Sequence, residues 1–235
     1  MSAFVAPVLL ALSVLMAAGP ALAQTGAAAC GSLQNGSNGP FDYRVDRDKL
    51  KIVEDFHFTP QVEALVSGQS SVISGDLDYT LRAFPNHHRA LIAMSRLGLR
   101  HKSLTAPQAP RSVECYFDRA LRFRPDDTVA RMLYATYLRD IKRLPDALKQ
   151  VDQAIEIGKD NAFTQYNAGL VLADMGEFER ALQQAHKAEA MGFMRKELRE
   201  KLQAAGKWAA PSGAGGPQAA AATAPAPPAS AASGS

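Results

Sequence analysis

The chain carries 235 residues, with 26 Lys and Arg against 23 Asp and Glu, a formal net charge of +3, and two cysteines. Its basic residues are interleaved with acids, as in Arg119-Ala-Leu-Arg122-Phe-Arg124-Pro-Asp126-Asp127, the pattern of a solvated helix face rather than of an acid-free stripe that tracks phosphates. Nucleic acid is therefore not an expected partner, and without a G-x-S-x-G, a phosphate loop or metal-spaced cysteines no enzyme activity, small-molecule substrate or cofactor is expected either.

Residues 1–23 have no charged side chain, an apolar run from Val8 to Met16, and an Ala21-Leu-Ala23 processing site before Gln24. They are expected to be a signal peptide cleaved after Ala23, which makes the protein exported, in the periplasm. The run is shorter than the roughly 20 residues of a membrane-spanning helix. No Lys or Arg precedes it, which implies a misplaced start or an atypical signal; an uncleaved anchor and a lipid on Cys30, where Ala27-Ala-Ala-Cys30 loosely resembles a lipidation box, are the alternatives to cleavage. Membrane contact is expected only in the last two cases.

Residues 24–72 are expected to be an N-terminal arm with short helices. Gly31 to Gly39 is rich in Gly, Ser and Asn and has no core of its own. In an oxidising compartment Cys30 and Cys115 are expected to pair and staple this arm to the rest, two free thiols being the alternative. Asp46 to Glu54 and Thr59 to Leu65 predict two short helices, the second with Thr59 as N-cap and Pro60 at the first helical position. Both are expected to cover the open end of the helical segment C-terminal to them.

From residue 73 to 206 the pattern repeats. Ala147-Leu148 and Ala154 recur 34 residues later as Ala181-Leu182 and Ala188, and the same step backwards reaches Val113 and Ala120. A period of 34 marks a helix–turn–helix repeat, and such repeats act chiefly by presenting a surface. An earlier unit at His88 to Leu97 aligns with Ala130 to Leu138 at a separation of 42, the extra residues falling in the polar, proline-containing stretch from Lys102 to Pro110. Leu77 to Pro85 matches Phe117 to Pro125 and predicts the second helix of a still earlier unit. Leu144-Pro145-Asp146 and Met175-Gly176-Glu177 are placed as turns, Ala120, Ala135, Ala154, Gly169 and Ala188 as small residues where helices approach, and Arg195 to Leu202 as a capping helix.

These residues together (Phe117 to Pro125, Ala147 to Ala154, Tyr166-Asn-Ala-Gly169-Leu-Val-Leu172, Gly176-Glu-Phe178 and Ala181 to Ala188) resemble the tetratricopeptide repeat family. The resemblance implies an all-α, right-handed α-solenoid of helix–turn–helix repeats with a short helical N-terminal extension. It departs from the family at Arg131 and Gln165, where a large aromatic is usual, and at Lys159 and Phe193, where the closing proline of Pro85 and Pro125 is missing.

The resemblance also implies a groove along the first helices. The residues of this chain at groove positions are His87, Ala90 and Met94, then Val129, Met132, Thr136 and Arg139, then Phe163, Tyr166, Leu170 and Asp174, with Asn167 alone at a place where family members clamp a C-terminal carboxylate. A protein or peptide segment is the expected partner, held through His87, Met94, Met132, Thr136, Arg139, Phe163, Tyr166, Asn167 and Leu170. A structural envelope component is the alternative function. His57, His87 and His88 could in principle meet Glu54 or Asp76 as a metal or catalytic group. Adjacent histidines on a helix diverge by about 100°, however, so helix-cap and surface roles are expected instead. Residues 207–235, dominated by Ala, Pro, Gly and Ser, are expected to form a disordered tail.

Overall fold

The structure, a computed structural model, describes residues 30–34 and 38–210, so the expectations for the signal peptide and for the tail from residue 211 onward lie outside the described residues. Ten α-helices and no strand occur among the described residues, as the all-α reading requires. They are α1 (Arg47–His57), α2 (Pro60–Glu63), α3 (Ile73–Ala83), α4 (His88–Arg100), α5 (Val113–Phe123), α6 (Thr128–Asp140), α7 (Leu144–Ile157), α8 (Ala162–Asp174), α9 (Phe178–Ala190) and α10 (Lys196–Ala204). No described helix is long and apolar enough to cross a membrane.

Local chemistry starts and stops these helices at repeating positions. The residue before α4, α6 and α8 caps the helix by accepting the amide three residues on: His87 Nδ1 from Ala90 at 3.1 Å, Asp127 Oδ1 from Ala130 at 2.9 Å, and Asn161 Oδ1 from Thr164 at 2.9 Å. The turns after α4, α6 and α8 each contain one residue at positive φ: Lys102 at 50°, Lys142 at 66° and Gly176 at 82°. Caps and turns agree on steps of 40 and then 34 residues. The first step is thus 40 and not the expected 42, and the residue matching Ala135 and Gly169 is Ser95 rather than Ala93. Similarity of letters favours the longer step, whereas the cap hydrogen bond sets where a helix begins. The six extra residues do lie in the loop between Lys102 and α5.

Helices adjacent in sequence pack as hairpins, and α4, α6, α8 and α10 also pack one after another. Small residues allow the close approach. A Cβ on Gly169 would lie 2.4 Å from Leu198 Cδ2, so any larger residue there would force the Leu198 side chain to shift where α8 meets α10. Three apolar cores result among the described residues: one built mainly from α2 to α6, one from α6 to α10 with Tyr134 and Ile141 packed against both, and a small one in which Leu50 and Val53 of α1 meet Ala83 and Phe84. Residues 207–209 are tied to the last helices: the Lys207 amide donates to the Leu202 carbonyl at 2.8 Å, Trp208 lies against Arg199 and His186, and the Ala209 carbonyl lies 2.9 Å from His186 Nε2.

The N-terminal elements close the other end. α1 packs on α3, and α2 packs on both α3 and α4. Thr59 precedes Pro60 at the start of α2 as expected, but its hydroxyl makes no cap bond and is buried without a partner. Cys30 and Cys115 form a disulfide with Cα atoms 5.0 Å apart. Arg122 donates to the Gly31 carbonyl at 3.0 Å and Arg119 to that of Ser32, so three separate links hold residues 30–32 on α5. Closing a loop of 85 residues restricts the unfolded chain by about 4 kcal/mol.

Candidate partner-binding groove

α6 and α8 lie side by side, and their shared flank opens as a groove of about 130 Å³. On α6 the lining residues Val129, Met132, Leu133 and Thr136 fall on one face by helical spacing; on α8 Phe163, Asn167 and Val171 come at successive turns. Thr128 and Thr164 join the two helices across the groove, hydroxyl to hydroxyl, at 3.0 Å. No charged side chain lines it.

Most polar groups here are already engaged. Thr136 donates its hydroxyl to the Met132 carbonyl at 3.1 Å, and Asn167 donates through Nδ2 to the Phe163 carbonyl at 2.7 Å. The groove therefore offers a ligand apolar contact, with the Asn167 Oδ1 as an acceptor. Phe163 stands at its edge with 49 % of its surface exposed, although its ring also meets Phe193 at 6.0 Å. A large exposed aromatic beside an uncharged groove is the composition of a contact surface.

Of the residues expected to meet a partner, the structure brings together Met132, Thr136, Phe163 and Asn167, with Val129 beside them. Arg139 lies at one end, tied to Asp140 at 2.7 Å and Asp174 at 3.3 Å, and Leu170 packs against the second core. Tyr166 is buried beside Phe193. His87, Ala90 and Met94 are fully buried and present nothing to a partner in this arrangement. The reason is the N-terminal extension: the Tyr43 and Phe58 rings sit 4.2 and 4.7 Å from the His87 ring, and Met94 shares a core with Val62 and Leu65. Residues 42–65 cover the part of the first unit that the resemblance implies to be groove. Leu133 and Val171 are lining residues that the sequence pattern does not single out, yet each lies one helical turn beyond one that it does, Val129 and Asn167.

The histidines part company. His57 pairs with Asp76, His87 with Glu54 and His88 with Asp127, at 2.9, 3.1 and 2.9 Å. No cluster of three His, Cys, Asp or Glu able to hold a metal occurs among the described residues. His87 uses Nδ1 as the cap acceptor, which places its proton on Nε2 toward Glu54; burial pushes its pKa below the ordinary histidine value, against the pull of that carboxylate. Asp127 is buried, which by itself raises its pKa, but the hydrogen bonds from His88, the Ala130 amide and Asn86 outweigh burial and hold it low. Asn86 bridges two carboxylates, donating to Asp42 and Asp127 at 2.8 Å each, while its Oδ1 accepts the Tyr43 amide at 3.0 Å.

Compared with known proteins, the chain matches no protein-family model and no curated protein.

Proposed function

We propose that this chain is an exported helical-repeat adaptor of the tetratricopeptide kind, which holds an uncharged segment of a protein partner against the flank shared by α6 and α8. The observation that carries the reading is the groove itself: it is apolar, free of charged lining, and edged by the half-exposed ring of Phe163. The 34-residue step between caps and turns supports the repeat reading, and the Cys30–Cys115 disulfide supports an oxidising compartment over the cytosol.

A photo-crosslinking residue at Phe163 tests it, with another at Gln183, an exposed position on α9, as the control. In cells, position 163 is expected to capture one discrete protein that position 183 does not, and Phe163→Ala is expected to abolish its co-purification with the untreated chain. Identical capture at both positions, or none at 163, would remove the groove as the binding surface.

A further inference from the structure

A second cavity lies at the other end of the molecule, and nothing in the adaptor reading uses it. α1 packs beside α3, and between them opens a pocket of about 440 Å³ whose lining includes Lys49, Ile52, Val53, Phe56, His57 and Tyr79. That volume falls in the range of small-molecule sites, about 300–1,000 Å³.

His57 is fixed in the pocket wall. Its Nδ1 lies 2.9 Å from Asp76 Oδ1, and the fully buried Asp76 accepts on its other oxygen the backbone amides of Gln69, Ser70 and Ser71 at 2.7, 3.1 and 3.2 Å. With that carboxylate committed as an acceptor, Nδ1 is the donor of the pair. The Tyr79 ring stacks on the imidazole at 3.7 Å. The polar edge that remains is Nε2, on a side chain 20 % exposed in the pocket wall. Fixing one ring nitrogen through a buried carboxylate orients the other, which is how a protein presents an imidazole to a ligand.

The remaining lining points to one kind of ligand. Lys49, whose ammonium lies 3.1 Å from the exposed Asp48, adds a cation, and no carboxylate lines the pocket among the described residues. Ile52 and Phe56, one turn apart on α1, are 63 % and 57 % exposed among the described residues and form an apolar wall. We propose that this pocket binds a small organic carboxylate with an apolar body, the carboxylate held by Lys49 and by His57 in its protonated form, whose Nε2–H then donates to it, and the body lying on Ile52 and Phe56.

Calorimetric titration of the full chain with 3-phenylpropionate, its neutral amide and 3-phenylpropylamine tests the site. The acid is expected to bind saturably and at least about tenfold more tightly than the amide, with no binding of the amine. Lys49→Ala and Phe56→Ala, both at exposed helix positions, are expected to leave the melting temperature unchanged and to weaken the acid about fivefold or more, and Phe163→Ala to leave it unaffected. Equal affinity for acid and amide, no heat at about 10 mM acid, or wild-type affinity in both α1 variants would overturn the proposal. Tighter binding of N-acetyl-Ala-Ala-Phe by about tenfold would overturn the free-acid assignment in favour of a polypeptide C-terminus. Because Phe163 takes no part, failure here and failure of the α6–α8 groove are separate results.

Discussion

The two halves of the molecule are held together by different chemistry. Of the thirteen buried polar or charged side chains among the described residues, ten fall between Asp42 and Asp127 and three in α8 and α9. In the N-terminal half these groups reach far along the chain: Asn86 joins Asp42 to Asp127, and Asp78 accepts from Arg111 at 2.7 Å and from Tyr116 at 2.9 Å. The C-terminal half relies on Ala147, Ala154, Ala168, Gly169, Ala181 and Ala188, small residues that let neighbouring helices touch. A repeat of helix pairs can be stabilised by nearest-neighbour packing alone, whereas an irregular extension must be pinned group by group. The difference teaches where each half is vulnerable: the first to loss of a partner, the second to gain of volume.

Asp127→Ala should expose that contrast most sharply. It removes the α6 cap, leaves His88 without its carboxylate and takes from Asn86 one of its two, an expected loss of about 3–5 kcal/mol on urea unfolding. A loss below about 1 kcal/mol would mean that the cap alone matters and that the buried network adds nothing.

Cys30→Ser comes next, with an expected loss of about 2–4 kcal/mol and faster proteolysis of the arm at residues 30–34. Alkylation of the denatured, unreduced wild-type chain should label neither cysteine. Unchanged proteolysis in the variant would show that the Arg119 and Arg122 bonds suffice to hold the arm.

Gly169→Leu carries the same test to the other half. Its side chain would collide with Leu198 and with the α9 backbone at the Ala181 carbonyl, and an expected cost of about 1–3 kcal/mol should appear as faster hydrogen exchange in α8 to α10. An unchanged melting temperature would show that α10 can move away freely.

The smallest effect is one of pH. His87 has a folded pKa below 6.5, so the unfolded chain binds the extra proton; stability is full above pH 6.5 and falls as the pH drops below it, by no more than about 1.4 kcal/mol per unit for this group. His87→Asn keeps a cap acceptor and should flatten the fall in urea midpoint between about pH 7.5 and 5.5. An identical slope in the variant would assign the dependence to other groups. Asp127, held below its ordinary value, contributes in a separate window: its share is present above the unfolded value of 3.8 and is lost at lower pH.

Helix type, the 34-residue step, the turn at Gly176, the last helix α10 and the pairing of two cysteines were legible in the sequence, because each comes from local rules or from a count. Half of the groove was legible too: Met132, Thr136, Phe163 and Asn167 meet because they repeat at helical spacing on two helices that pack together. His87 and Met94 carry the same spacing and end up buried, since whether a helix face meets solvent depends on what else packs there. Nothing in the order of residues announces that Tyr43 and Phe58 lie against His87, or that His57, Asp76 and Tyr79 gather at one pocket. Periodicity and capping are properties of a few neighbouring residues, so the sequence by itself determined which helices form and how often they recur. Contacts across 19 to 44 residues arise only when the chain closes on itself, so which helix faces are covered and which stay exposed is settled at the level of tertiary packing.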